Sequence, residues 1–258
     1  MDNPWELVQS KQYEAAVSEY SRLYQETGTK LDLHNRGLAY LLVKNYEAGL
    51  ADFQHSIRSG DPRHRSGFEY TYAGIAFWCT NRTNEAVSMW RAGLSAPYTD
   101  AAGGVEIPAL LLYAGCRLKD QALRKEAMQL LKKLWSKHLR RQKKKQDRSG
   151  PTHNDLVHPG LVAWPGAIVP FLLGEIDQAQ LRLLVEHAGN EILKQRWQCA
   201  ADFYVGLRAA CEGDLPGFRD NMKSCAERQR CELEHESYLA CWEVETGYCG
   251  PAGDTATG

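Results

Sequence analysis

The sequence predicts an all-α protein assembled from antiparallel helix pairs, and three observations predict it. A triplet of an aromatic or threonine, a small residue three positions on and an aromatic four further recurs as Tyr13, Ala16 and Tyr20, then Tyr46, Gly49 and Phe53, then Thr83, Ala86 and Trp90. The copies are 33 residues apart from Tyr13 to Tyr46 and 37 apart from Tyr46 to Thr83. The second and third copies are each preceded in register by a glycine, Gly37 and Gly74, themselves 37 apart, and the polar segment SGDPRHRSG accounts for the four extra residues. A fixed period of this length is the mark of a repeat architecture, in which each unit buries its apolar face only by stacking on the next.

The elements follow in order. Residues 1–101 read as three helix pairs, the first with a short leading helix. Glycine inside a helix costs about 1 kcal/mol relative to alanine. Its recurrence in register is explained if the two helices of a pair cross where Gly37 and Gly49 stand, with the aromatics filling the space between neighbouring pairs. Residues 102–148 read as a degenerate fourth pair, with Gly115 and Ala127 at the small positions. Its second helix runs into a basic stretch that holds nine Lys or Arg residues and one Asp between Lys132 and Arg148. Residues 149–160 form a Pro/Gly-rich linker. Residues 161–246 read as further helical repeats, with Gly206, the Gly213 turn, Leu215, Phe218 and Met222. A terminal capping helix follows, with Tyr238, Leu239 and Trp242 on one side. Phe218 stands where a small residue is expected, so the packing there must differ. The tail, 247–258, is expected to be disordered.

These residues resemble the tetratricopeptide repeat, a 34-residue helix–turn–helix unit. The resemblance covers residues 4 to 96. It takes in the small residue of the first helix (Gly37, Gly74), the aromatic after it (Tyr40, Phe77), the small residue of the second helix (Ala16, Gly49, Ala86) and the closing aromatic (Tyr20, Phe53, Trp90). Pro62 sits near the family's terminal proline, whereas Arg36 stands where the family prefers leucine. The resemblance implies a right-handed helical solenoid of the stand-alone bacterial type, with degenerate repeats towards the C-terminus and a protein ligand in its concave groove. Carried over position by position, the groove residues are His34, Asn35, Leu38 and Leu41 in the second unit and Phe68, Thr71, Tyr72, Ile75 and Trp78 in the third. Some members clamp the C-terminal carboxylates of chaperones with Lys, Asn and Arg at these positions. Here only Asn35 fits, so no such clamp is expected and the groove reads as aromatic and neutral.

Composition narrows the function without naming it. The 258 residues carry 31 basic and 32 acidic side chains, which excludes a global signature for nucleic acid or membrane. No run of about 18 apolar residues suggests a transmembrane helix. The opening MDNPWELVQS has neither the basic nor the apolar region of a signal peptide, so a cytoplasmic location is expected. Of eight cysteines, six follow residue 198 and none forms a C-x-x-C pair. They read as small buried residues, with a metal or disulfide cluster as the alternative. His153, Asp155 and His158 do not share a helix or strand face, and no metal or cofactor is expected.

There is no phosphate-binding loop, nucleophile elbow or zinc-protease helix, so the chain is expected not to be an enzyme. The expected function is a protein-binding scaffold, in its concrete version an immunity protein that covers a bacterial toxin domain. An adaptor holding a peptide in its groove is the alternative, as is an RNA-associated protein using Lys132, Lys133, Lys137, Arg140, Arg141, Lys143, Lys144 and Lys145. That basic segment reads first as a solvated helix end. No aromatics interleave with it, which weakens single-strand binding, so nucleic acid is the less expected partner.

Overall fold

A computed structural model describes residues 3–59, 66–96, 104–149 and 164–247. Within it the side chains of residue 142 and residues 145–149 are left undescribed. Among the described residues there are thirteen α-helices and no strand. The linker from Gly150, the tail after Gly247 and His153, Asp155 and His158 lie outside the described residues.

The first eight helices are α1 (Pro4–Gln9), α2 (Tyr13–Thr27), α3 (Lys30–Leu42), α4 (Tyr46–Ser59), α5 (Gly67–Cys79), α6 (Thr83–Gly93), α7 (Glu106–Arg117) and α8 (Gln121–Ser149). Then come α9 (Ile168–Leu172), α10 (Gln178–Glu186), α11 (Glu191–Glu212), α12 (Leu215–Ala226) and α13 (His235–Glu245). Polar side chains open many of them. Asn3, Thr29, Ser66, Asn190 and Asp214 each accept a hydrogen bond from a first-turn amide, and Asp177 with Gln180 forms a reciprocal capping box. These caps satisfy amides that have no partner inside the helix.

One turn geometry joins the helices of six successive pairs. Lys11, Lys44, Asn81, Lys119, Gly174 and Gly213 all have positive φ, between 54° and 84°. In each turn the following amide reaches back five residues, as in Gln12 to Leu7 O, Asn45 to Tyr40 O, Arg82 to Phe77 O and Asp120 to Gly115 O. Glu175 to Pro170 O and Asp214 to Ala209 O complete the set. This is the Schellman stop, which satisfies two carbonyls at the helix end and reverses the chain tightly. The non-glycine turns at Lys11, Lys44, Asn81 and Lys119 fall 33, 37 and 38 residues apart, so the period seen in the sequence extends to the α7–α8 pair.

The glycines lie at helix crossings. A Cβ on Gly37 would stand 2.8 Å from the Phe53 ring, and one on Gly74 would stand 2.1 Å from Trp90 Nε1. A Cβ on Gly49 would meet the Gly37 carbonyl oxygen at 3.0 Å. The closing aromatics therefore sit first against the glycine of their own pair, sixteen residues back, and only then reach the next pair, where Phe53 stacks on Tyr72 at 5.8 Å. In the α11–α12 pair, Met222 holds the same place sixteen residues after Gly206, with its Cε 2.7 Å from where a Cβ would be. That is how the pair accommodates Phe218, which is buried beside it. Arg36, the residue out of keeping with the repeat pattern, forms a two-pronged ion pair with Asp52 at 2.7 and 2.8 Å and ties α3 to α4.

The last helix, α13, packs on α12 and α11, the pair that precedes it, and also reaches α5. The Tyr72 hydroxyl donates to Leu233 O at 2.7 Å, and Trp78 meets Trp242 edge-on at 6.2 Å. Glu243, fully buried, accepts from the Tyr113 hydroxyl and from Arg117 Nε at 2.6 Å and from Arg117 Nη2 at 2.9 Å. One apolar core consequently runs from Leu38 to Trp242, and a smaller cluster around Val8, Ala16, Tyr20 and Ala39 closes the N-terminal end. A disulfide joins Cys116 on α7 to Cys211 on α11, with 5.7 Å between the Cα atoms. Cys79, Cys199, Cys225 and Cys231 are buried free thiols, as small apolar residues would be. The all-thiol reading is corrected at Cys116 and Cys211, which only the fold brings together. Disulfides persist chiefly in oxidising compartments, so the cytoplasmic expectation is left without support from the cysteines. No helix among the described residues is long and apolar enough to cross a membrane.

Candidate functional site

The site is built where α13 begins. The short α5 N-terminal turn brings Phe68 and Tyr72, the first turn of α7 brings Glu106, and α11 brings Leu193, Arg196 and Trp197. Trp164 and Pro165 form one side and Leu233 to Glu236 another. Together they enclose a cleft of about 240 Å³. The Trp164 and Trp197 rings are stacked, 5.5 Å apart at 16°. A second cavity of about 230 Å³, between Tyr13, Tyr46 and Tyr238, carries Lys11, Lys44, Arg228, Glu232 and Glu245, of which Lys44 and Glu245 pair at 2.7 Å.

Charge distinguishes the cleft. Glu106, Glu234 and Glu236 face it against one guanidinium, Arg196, which pairs with Glu234. Glu236 is 2 % exposed and its Oε2 has no hydrogen bond. His235 Nδ1 lies 3.3 Å from that oxygen, out of line for one, and 4.0 Å from Glu106 Oε2. His235 Nε2 lies 3.3 Å from the Tyr204 hydroxyl. Two lone pairs do not face each other at such a distance without cost, so the cluster favours a proton on Glu236 or His235. Burial pushes Glu236 up to about 7, against the pull of its backbone and Tyr204 hydrogen bonds. Burial, then the neighbouring Glu236 charge, pushes Glu234 up to about 7, against the pull of Arg196.

These shifts have a testable sign. Glu236 has an ordinary value of 4.5 when unfolded and about 7 when folded, so the stability it confers is full below 4.5 and lost as the pH rises to about 7. Half-buried His34 works the other way, because desolvation lowers it from 6.5 to about 4. Its contribution is present above 6.5 and lost as the pH falls towards 4. Comparison with Glu236→Gln removes His34 from the difference. The variant should match the wild type near pH 4.5 and gain on it by up to about 1.4 kcal/mol per pH unit until about pH 7, read by urea unfolding. A variant that loses ground as the pH rises contradicts this account of the cleft.

Of the groove residues expected from the sequence, the structure brings Phe68 and Tyr72 to the cleft. The others do not form a groove surface. Leu38, Thr71, Ile75 and Trp78 are 0–4 % exposed, and Tyr72 itself is 5 % exposed. These residues lie in the interior, and the C-terminal segment reaches two of the expected positions, Tyr72 through Leu233 and Tyr238 and Trp78 through Trp242. His34 is half-buried with its ring edge against Phe53 and Tyr72, at 5.7 and 5.8 Å, and Asn35 is half-buried on the same helix. In the basic segment, Lys132, Lys133, Lys137, Arg140, Arg141, Lys143 and Lys144 are exposed on α8, while the Lys145 side chain lies outside the described residues. The segment that reads as a solvated helix end is helical through Ser149. Trp164, Arg196, Trp197, Glu234 and Glu236 were not singled out in the sequence. The available signal was the ELEHE run next to a buried aromatic helix. Among the described residues no group of three or more His, Cys, Asp or Glu side chains is arranged to hold a metal ion.

No family model matches the chain, and no curated protein matches it.

Proposed function

We propose that this chain is a non-enzymatic protein-binding scaffold, a solenoid of the tetratricopeptide type whose last helix also reaches α5, and that it recognises its partner through the cleft at the start of α13. One observation carries the reading: Phe68, Trp164 and Trp197 stand at a concave site beside the Glu236 carboxylate, which the fold keeps buried at a cost. Aromatic residues in desolvated pockets supply most of the binding energy at protein interfaces. A buried ionisable group in a cleft is a candidate functional site. The narrower version is an immunity protein that covers a toxin domain, with the acidic cleft towards a basic surface of the toxin. In that version, co-expression with a toxin encoded beside the gene rescues growth.

The general reading is tested by capture from the native cell with wild type, Trp197→Ala and a Lys143→Glu/Lys144→Glu double variant. The expected result is a protein retained by the wild type and by the charge-reversed helix, and lost with Trp197→Ala, whose fold is checked by circular dichroism. A partner that ignores Trp197→Ala and is lost with the α8 reversal overturns it. Loss of RNA rather than protein in that arm, with a steep salt dependence, selects the nucleic-acid alternative.

A further inference from the structure

Three of the free thiols stand together. Cys199 on α11, Cys225 on α12 and Cys231 in the segment before α13 meet beside the second cavity, and Cys231 lines it. We propose that Cys199 and Cys225 close into a second disulfide by exchange with a small-molecule disulfide, and that Cys231 is the thiol through which the oxidising equivalent enters. This goes beyond the protein-binding reading and does not rest on it.

The fold sets the pair opposite each other. Helices α11 and α12 run back along each other from the Gly213 turn, and Cys199 and Cys225 stand fourteen residues before it and twelve after it. Their Sγ atoms are 3.4 Å apart, about 1.4 Å beyond the length of a disulfide bond. Cys199 is the sulfur that the other two share. It contacts Cys225 directly, and Cys231 is its second hydrogen-bonding neighbour. Exchange passes a bridge along three sulfurs, one attacking, one central and one leaving. With Cys199 central, a bridge made at Cys231 can be handed to Cys225.

Access singles out Cys231. Cys199 and Cys225 have no exposed surface, whereas Cys231 is 3 % exposed at the wall of the cavity between Tyr13, Tyr46 and Tyr238. Cys241 lines the same cavity, but its Sγ is directed at Ala226 O rather than at a thiol. A chain that carries the Cys116–Cys211 disulfide has met an oxidant able to make one.

The electrons balance in three steps. The Cys231 thiolate attacks one sulfur of oxidised glutathione. The glutathione S–S bond breaks, and the departing thiolate takes up a proton equivalent to the one Cys231 released. Cys199 then attacks the Cys231 sulfur of the mixed disulfide, expels the second glutathione as a thiol and forms Cys199–Cys231. Cys225 attacks Cys199 in turn, returns Cys231 to a thiol and leaves Cys199–Cys225. Two protein thiols have lost two electrons and two protons, and one small disulfide has become two thiols. The hydrogen bond with Cys225 and burial raise Cys199, burial raises Cys225, and the hydrogen bond with Cys199 and burial raise Cys231. All three rest as thiols, so the exchange is slow near neutral pH. That suits a bridge made once, not a rapid sensor.

The experiment incubates the folded full chain with excess oxidised glutathione, traps the remaining thiols by alkylation at intervals and locates the bridges by peptide mapping. The wild type should accumulate Cys199–Cys225 beside Cys116–Cys211, with Cys231 alkylated. Cys225→Ser should stop at Cys199–Cys231, and Cys199→Ser should form neither bridge. Cys231→Ser should slow the closure of Cys199–Cys225 by about tenfold or more, because the entry thiol is gone, and Cys241→Ser should leave its rate unchanged. Refolding of the reduced wild type in the same glutathione buffer removes access as a variable and should give the same two bridges. Cys199 and Cys225 both alkylated after refolding, in chains whose Cys116–Cys211 bridge has closed, overturns the inference. So does a Cys231–Cys241 bridge in the wild type, or a Cys225–Cys231 bridge in Cys199→Ser. Closure that is unaffected by Cys231→Ser and slowed by Cys241→Ser overturns the role given to Cys231.

Discussion

Replacing Gly74 by alanine should lower the unfolding free energy by about 2–4 kcal/mol. The new methyl would lie 2.1 Å from Trp90 Nε1 and 2.5 Å from Cδ1, and Trp90 is fully buried with its Nε1 donating to Thr71 O at 3.1 Å. The indole must move, which costs about 1–3 kcal/mol in overpacking and a further 1–3 kcal/mol if the Nε1 donor loses its acceptor. The gain in helix propensity, about 1 kcal/mol, offsets only part of this. The same geometry orders a series. Gly37→Ala meets Phe53 at 2.8 Å and should cost less, and Gly49→Ala meets the Gly37 carbonyl at 3.0 Å and should cost least. Urea unfolding of the three variants checks the order. Equal stability for all three would mean that the crossings are looser than described.

Replacing Glu243 by methionine should cost about 3–5 kcal/mol. The change leaves the Arg117 guanidinium, 11 % exposed, without its carboxylate and the buried Tyr113 hydroxyl without its acceptor. The carboxylate is not comfortable in its place either. Burial pushes its pKa up despite the Arg117 charge and the hydrogen bonds that pull it down. Its removal is costly because the partners are then stranded, and the pair itself contributes little net stability over apolar groups of similar size. Thermal unfolding with circular dichroism detects a loss of this size directly. A change under about 0.5 kcal/mol would mean that α13 does not seal against α7.

The helix pairs were legible in the sequence because they are local. The glycine and the ring that fills its place are sixteen residues apart at Gly37–Phe53 and Gly74–Trp90, so register alone exposes them. The turns were less legible. Lys11, Lys44 and Lys119 hold a left-handed conformation in which glycine is the usual signal, and a lysine carries no mark of that conformation.

The seat of α13 was not legible at all. The contacts of Tyr72 with Leu233 and of Tyr113 with Glu243 span 161 and 130 residues. A local reading places Glu236 and Glu243 on a solvent face opposite Tyr238, Leu239 and Trp242. The usable clue was the run Tyr238, Leu239, Ala240 and Trp242, which puts apolar groups on every side of one helix, the pattern of a helix buried all round. The cleft inherits the same obscurity. Trp197 and Glu236 line one cleft because the start of α13 lies beside α5 and α11, and Trp78 meets Trp242 of the same helix.

The burial of the far end of α13 depends on its contact with α7 through Glu243. A double-mutant cycle between Arg117 and Glu243 measures that contact, with Arg117→Met, Glu243→Met and the double variant unfolded in urea. The Tyr113 hydroxyl is stranded equally in Glu243→Met and in the double variant, so it cancels from the coupling. The expected result is a double variant more stable than the sum of the single losses predicts, by about 2 kcal/mol or more. Losses that add within about 0.5 kcal/mol would show the two side chains to be apart, and would contradict the placement of the end of α13 against α7.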